Sequence, residues 1–167
     1  FDDHPRDWVH IGVDGDYLKR VTMPRSASES TKLVYVPCLK THKLARFSLS
    51  LKLAVGFLHP GERRTLHRGH LEKKLVEINL AWQPDLIIMD GRKAFVSGGP
   101  DKGKLAEPGI IIASGDMVAI DVEALNVLLS YGEKNRLEPN PWETDQIVTA
   151  LKYGLGARQG EYKLIVE

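Results

Sequence analysis

The stretch Leu33–Leu44, LVYVPCLKTHKL, decides the reading of this chain. It stays apolar from Leu33 to Leu39 and then delivers Lys40, Thr41 and His42 in immediate succession. Lys32–Leu39 is apolar on both alternating faces, which predicts a strand covered on both sides in a layered fold. Cys38 lies inside it and is expected to be a buried, unreactive thiol. A strand that ends on an amine, a hydroxyl and an imidazole points to a functional rim.

Working outward, Asp85–Met89 (DLIIM) and Gly109–Ala113 (GIIIA) read as two more short buried strands, with Ala94–Val96 a further short one. Trp8–Val13 and Tyr17–Thr22 alternate around Asp14-Gly15-Asp16 and predict a hairpin or two edge strands. PRSASEST after them reads as a polar loop. The spacing predicts helices over Phe47–Leu58, His70–Trp82, Met117–Tyr131 and Pro141–Tyr153, and a closing strand over Tyr162–Val166. Strands alternating with helices predict an α/β layered domain with a mainly parallel central sheet flanked by helices. No repeat or linker divides residues 1–167, so a single domain is expected.

Composition narrows the function classes. A charged fraction of 27% and hydrophobic fraction of 43% suit a globular protein with a core. A net charge of +1 gives no bulk attraction to nucleic acid or anionic membrane, so neither is an expected partner. With one cysteine, the chain has no internal disulfide and no cysteine-ligated iron–sulfur cluster, which fits a reducing, cytoplasmic setting. No apolar run reaches the ~20 residues of a membrane span. The chain opens on Phe1 rather than Met, so part of a longer polypeptide is expected.

Three strands end alike: in Lys40-Thr41-His42, in Asp90-Gly91 and in Ser114-Gly115-Asp116. If they run parallel, all three endings share the carboxyl edge of the sheet, where α/β folds bind ligands. Lys40, His42 and Asp116 are then the catalytic candidates, with His42 as acid/base. Thr41, Lys52, Asp90, Gly99 and Asp121 are ligand-binding candidates. A divalent metal, held by His42, Asp90 and Asp116, is a further expectation, since carboxylates with one imidazole suit hard cations. Lys52 and Asp121 each interrupt an apolar helical pattern, and the cost of burying a lone charge predicts that the two share compensation near the rim. Ordinary readings stand beside these. Asp116 can be a helix cap, Asp90-Gly91 a turn, Lys40 and Lys52 solvated lysines, and His42 a structural histidine.

Two further motifs carry less. RRTLHRGHLEKK, with His67 and His70, reads as a solvated basic face that can serve as an anion-binding edge. Gly98–Lys104 satisfies GxxxxGK, yet Leu105 replaces the magnesium-binding hydroxyl and no helix follows, so nucleotide hydrolysis is not expected.

VPCLKTH, SLKLAVGFL, PDLIIMDG, GGPDKG, IIASGDMVAIDVEAL and KYGLGA, in this order, resemble the motifs of the domain of unknown function 362 family. The resemblance runs from Lys32 to Gly156, and Phe1–Thr31 carries little of it. It implies that the chain is the larger, C-terminal part of a family domain, and that Lys40, His42, Lys52, Gly56, Asp90, Gly99-Pro100, Asp116 and Asp121 are motif residues. Many relatives carry an appended ferredoxin-like segment with cysteine clusters, which this chain lacks. The family shows Lys-Asn where this sequence has Lys52-Leu53. Two functions follow as expectations: an enzyme-like domain binding a small anionic molecule, and a non-catalytic module that docks or senses a redox protein partner.

Overall fold

The computed structural model describes residues 7–167; the lead-in residues 1–6 lie outside the described residues. Alternating apolar residues form β1 (Trp8–Gly12) and β2 (Arg20–Pro24), an antiparallel pair with Trp8 opposite Pro24. The expected hairpin is therefore present, as a two-stranded sheet of its own. PRSASEST is not wholly a loop, because Arg25–Ser28 makes one helical turn, α1.

The decisive stretch forms two collinear strands, β3 (Val34–Tyr35) and β4 (Cys38–His42). Pro37, which has no N–H to donate, lies at the break between them. The chain then reverses into β5 (Arg46–Ser48), which pairs Ser48 with Lys40 and Phe47 with Thr41. The helix expected over Phe47–Leu58 is thus shorter: α2 (Ser50–Leu53) continues as a 3-10 turn, Ala54–Gly56. Pairing of Phe47 and Ser48 across the sheet outweighs their helical periodicity. Two helices follow, α3 (Pro60–Leu66) and α4 (Leu71–Glu77), the latter tightening into a 3-10 turn, Ile78–Leu80, before Pro84.

DLIIM and Ala94–Val96 are not separate strands. They belong to one strand of 13 residues, β6 (Leu86–Gly98), which returns as β7 (Gly103–Ala106) and then β8 (Ile110–Ser114). Asp90-Gly91 consequently sits inside a strand and makes no turn; a side chain at Gly91 would collide with Ile110. The phosphate-loop lookalike is the β6–β7 hairpin, with Gly98 opposite Gly103. The chain ends with α5 (Met117–Ser130), a 3-10 turn over Pro141–Glu143 and α6 (Asp145–Lys152). No strand forms over Tyr162–Val166, whose last three residues are exposed beside β8.

The architecture is the expected α/β class, a central sheet flanked by helices. Its strand order is β3-β6-β4-β5, with β7 and β8 also paired to β6. The spine is parallel: β3 and β4 both run with β6, Val34 beside Leu86, Cys38 beside Asp90 and Lys40 beside Phe95. The flanks β5, β7 and β8 are antiparallel. Tyr35, Leu39, Ile87 and Met89 point inward and pack with Val118, Val122 and Leu125 of α5. The expectation that Lys32–Leu39 is shielded on both sides does not hold: on the face opposite this core Val34, Val36 and Cys38 are exposed. Within this chain the helices supply only one cover for that strand.

Candidate functional site

Alternation along β4 sorts its residues onto two faces. Leu39 and Thr41 are buried, whereas Cys38, Lys40 and His42 look outward. Thr41 donates from Oγ1 to the Phe95 carbonyl at 3.0 Å and so braces β4 against β6, away from the outward side chains. Lys40 lies opposite Ser48 of β5, and the chain leaving Ser48 enters α2, which carries Lys52. These residues border a pocket of about 300 Å³ between the outer face of β4 and the helical turns after β5.

The lining of that pocket includes Lys40, Lys52 and Arg63 and, among the described residues, no acidic side chain. Arg63 reaches in from α3 and is held by carbonyls, Nε donating to Leu58 at 2.7 Å and Nη2 to Gly56 at 2.8 Å. Carbonyls orient a guanidinium without cancelling its charge. Ser48 is only 9% exposed, and its Oγ is buried without a hydrogen-bond partner. A buried hydroxyl with no partner loses ~1–3 kcal/mol of solvation, so it marks a place where a ligand atom is favoured. The remaining wall is apolar, with Val36, Leu49, Leu53 and Val55, and Cys38 stands at its edge.

The electrostatics follow from this crowding. Burial, then Lys40, lowers the Lys52 amine from its ordinary value. His42 is pushed down to about 4, first by burial, then by Lys52, Lys40, His67 and Lys43. Its Nδ1 accepts from the backbone amides of Leu44 (3.2 Å) and Ala45 (3.1 Å). Both partners are donors, so Nδ1 is the unprotonated nitrogen and Nε2 carries the hydrogen. At neutral pH His42 is neutral with its free lone pair already used, so it is not placed to accept a proton, and it lies next to the pocket's strand without being part of the lining.

The other sequence candidates are placed elsewhere. Asp90 shares its register position with Cys38 but is closed by Arg92, which donates Nε to Oδ1 (3.0 Å) and Nη2 to Oδ2 (2.8 Å). That guanidinium pulls the carboxyl down to about 2. The strand bearing Asp116 runs antiparallel to β6, with Ser114 opposite Ile87, whereas Lys40 is level with Phe95. Eight residues of strand separate those levels, about 25 Å at ~3.3 Å per residue. Asp116 caps α5 through Ala119 N (2.8 Å) and holds the Ala157 amide (2.7 Å). The shared rim therefore contains the ending of β4 but not that of β8.

Gly99 sits at positive φ, and a Cβ there would collide with the Thr41 carbonyl. It lets the β6–β7 turn press on the end of β4, where Gly99 O accepts from Lys43 N (3.3 Å). Asp121 is fully buried and accepts from the amides of Ser50 (2.8 Å) and Leu51 (3.0 Å), so it anchors the start of α2 and makes no ion pair with Lys52. Burial raises its carboxyl to about 7 against the pull of those bonds. Among the described residues no group of three His, Cys, Asp or Glu side chains could hold a metal, and His42, Asp90 and Asp116 form no such group. Ser48 and Cys38 line the pocket and were not among the sequence candidates, whereas Arg63 belongs to the RRTLHRGHLEKK run read as a basic face able to serve as an anion-binding edge.

Comparison with known proteins gives the family. Residues 1–126 match the model described as Domain of unknown function (DUF362). The chain belongs to this family. The match takes in Phe1–Thr31, where the motifs are faint, and stops at residue 126, short of KYGLGA. The chain is also 28% identical, over 125 residues, to the thylakoid-associated protein sll1697 of Synechocystis sp. strain PCC 6803. That similarity covers 70% of this chain and 38% of the relative, so the chain spans well under half of the relative's length. No solved structure matches. Leu53, which follows Lys52, is part of the pocket wall.

Proposed function

We propose that this domain is an enzyme-like module that binds a small anionic molecule in the Lys40–Lys52–Arg63 pocket. One observation carries the reading: three cations and an unpartnered buried hydroxyl converge on one pocket that no acidic side chain among the described residues lines. Like charges held this close repel and are costly to desolvate, and an anion removes both costs. Lys40 and Arg63 neutralise the anion, Ser48 donates to it, and His42 steadies the end of β4 as a neutral donor. The divalent metal expected from the sequence is not required by this chemistry. Magnesium or manganese added to the titration below tests it as a co-ligand.

The test is calorimetric titration with L-lactate, oxalate and inorganic phosphate. At least one is expected to bind, and Lys52→Met to weaken it by roughly tenfold or more, the scale of one charged hydrogen bond. Melting of the variant is the folding control. Unchanged affinity in Lys52→Met overturns the site.

A second reading, the module that docks a redox protein partner, is favoured by the sheet face on which Val34, Val36, Leu86, Ile88 and Ile111 are exposed. Charged substitutions at Val34 and Ile111 would then abolish partner binding while leaving the titration intact. Among the described residues no helix is long and apolar enough to cross a membrane. Cell fractionation separates the cytoplasmic setting from the thylakoid association in the relative's name.

A further inference from the structure

The pocket treats its two lysines differently. Lys40 projects from a strand, whereas Lys52 sits on a helical turn that is fixed on all sides. Asp121 holds the amides of Ser50 and Leu51, the Leu51 carbonyl accepts from Asn79 Nδ2 at 2.8 Å, and Ser50 Oγ donates to the Met117 carbonyl at 3.2 Å. A flexible surface lysine needs no such mounting. No carboxylate among the described residues pairs with Lys52, and half of its wall is apolar.

We propose that Lys52 is an imine-forming lysine, taking small 2-oxo acids whose carboxylate is held by Lys40 and Arg63; this rests on the anion site argued above. A primary amine becomes a nucleophile when it is desolvated beside another cation, because both effects favour the unprotonated form. Lys52 has both, and its amine is lowered accordingly. The Nζ lone pair attacks the carbonyl carbon, and the carbonyl π pair moves to oxygen. That oxygen gathers the two hydrogens of the amine and departs as water, leaving a carbon–nitrogen double bond. Nothing is oxidised or reduced. Ser48 Oγ, buried and without a partner, is a donor for the carbonyl oxygen as it gains charge. Leu53 keeps the wall beside Lys52 apolar and disfavours the ammonium form. A pocket of about 300 Å³ takes a short 2-oxo acid such as pyruvate.

The experiment is reductive trapping of the whole chain with pyruvate and borohydride, read by intact mass and peptide mapping, with L-lactate as a non-carbonyl analogue. One adduct is expected, on Lys52, at least tenfold above any exposed lysine, and L-lactate should suppress it. Lys52→Met should remove the adduct. Lys52→Arg should also remove it while still binding L-lactate, which separates charge from amine chemistry, and melting confirms that both variants fold. L-lactate binding with no adduct, or adducts spread over exposed lysines, overturns the imine and leaves the anion site standing. No adduct and no binding of L-lactate, oxalate or phosphate overturns both.

Discussion

Glu77 and Asp121 are completely buried, and each carboxylate accepts from backbone amides; Lys40 and Lys52 are half-buried and face no acid among the described residues. Glu77 accepts from the amides of Asp16 (2.9 Å), Tyr17 (3.1 Å) and Leu18 (2.8 Å) and from the Tyr153 hydroxyl (3.1 Å), and so pins the β1–β2 connection. Asp121 pins α2 in the same manner. The two acids are spent on the fold. The cations are not, and a charge left uncompensated in a pocket is available to a ligand.

The sharpest way to break this contrast is to remove the acids. Glu77→Ala removes the acceptor of three loop amides and Asp121→Ala that of two buried amides, and each unmet buried donor costs ~1–3 kcal/mol. Both variants should lose about 3 kcal/mol or more in urea unfolding. Where they remain folded, Glu77→Ala should keep its anion affinity and Asp121→Ala should lose it, because only Asp121 holds the turn that aims Lys52. Equal affinities would mean that Asp121 has no part in the site. A smaller effect is expected from Lys40→Met: melting unchanged or slightly raised, since a desolvated and repelled charge is removed, and affinity down by roughly tenfold. A destabilised Lys40→Met would mean that the lysine serves the fold after all.

His42 offers a finer test. Its folded pKa, about 4, lies below the unfolded value of about 6.5. Between those values the unfolded chain binds the extra proton, so stability falls as pH drops from about 6.5 towards 4 and is unaffected by this group above 7. A bound anion offsets Lys40 and Lys52, so it should raise the His42 pKa and flatten that loss, as read by imidazole proton shifts with and without oxalate. No movement would place His42 outside the site. The smallest effect concerns Cys38, which is exposed at the pocket edge rather than buried as its sequence setting suggested. It should react with iodoacetamide in the folded protein, and oxalate should slow the reaction by a few-fold.

The layered α/β class, the helices near His70–Trp82, Met117–Tyr131 and Pro141–Tyr153 and the Lys40–His42 ending were legible because each is written in local periodicity. The direction of β8 was not. GIIIA followed by Ser114-Gly115-Asp116 reads the same whether it runs with or against β6, and the answer lies in the short β6–β7–β8 connections. Asp90 misled because an Asp-Gly pair inside a strand looks like a turn, and the strand tolerates it here since Gly91 lets Ile110 approach. Ser48 was hidden by a strand of three residues, too short to show alternation. Arg63 reaches the pocket only through tertiary packing of α3. Lys52 was found as an anomaly in an apolar run, but its supposed partner Asp121 grips the backbone beneath it.

The long β6 strand has a consequence for the order in which the site is made. Every residue lining the pocket precedes residue 64, whereas the strand that fixes β4 comes later, Lys40 and Phe95 pairing across 55 positions of chain. During synthesis the cations emerge first, as part of a segment with an unpaired edge. Until Leu86–Gly98 arrives β3 has no partner strand and β4 has only β5. Contacts so far apart in sequence form slowly. Binding competence should accordingly appear late and abruptly, with the closing of the sheet, and a ribosome stalled before β6 should display a chain that carries every pocket side chain and binds nothing.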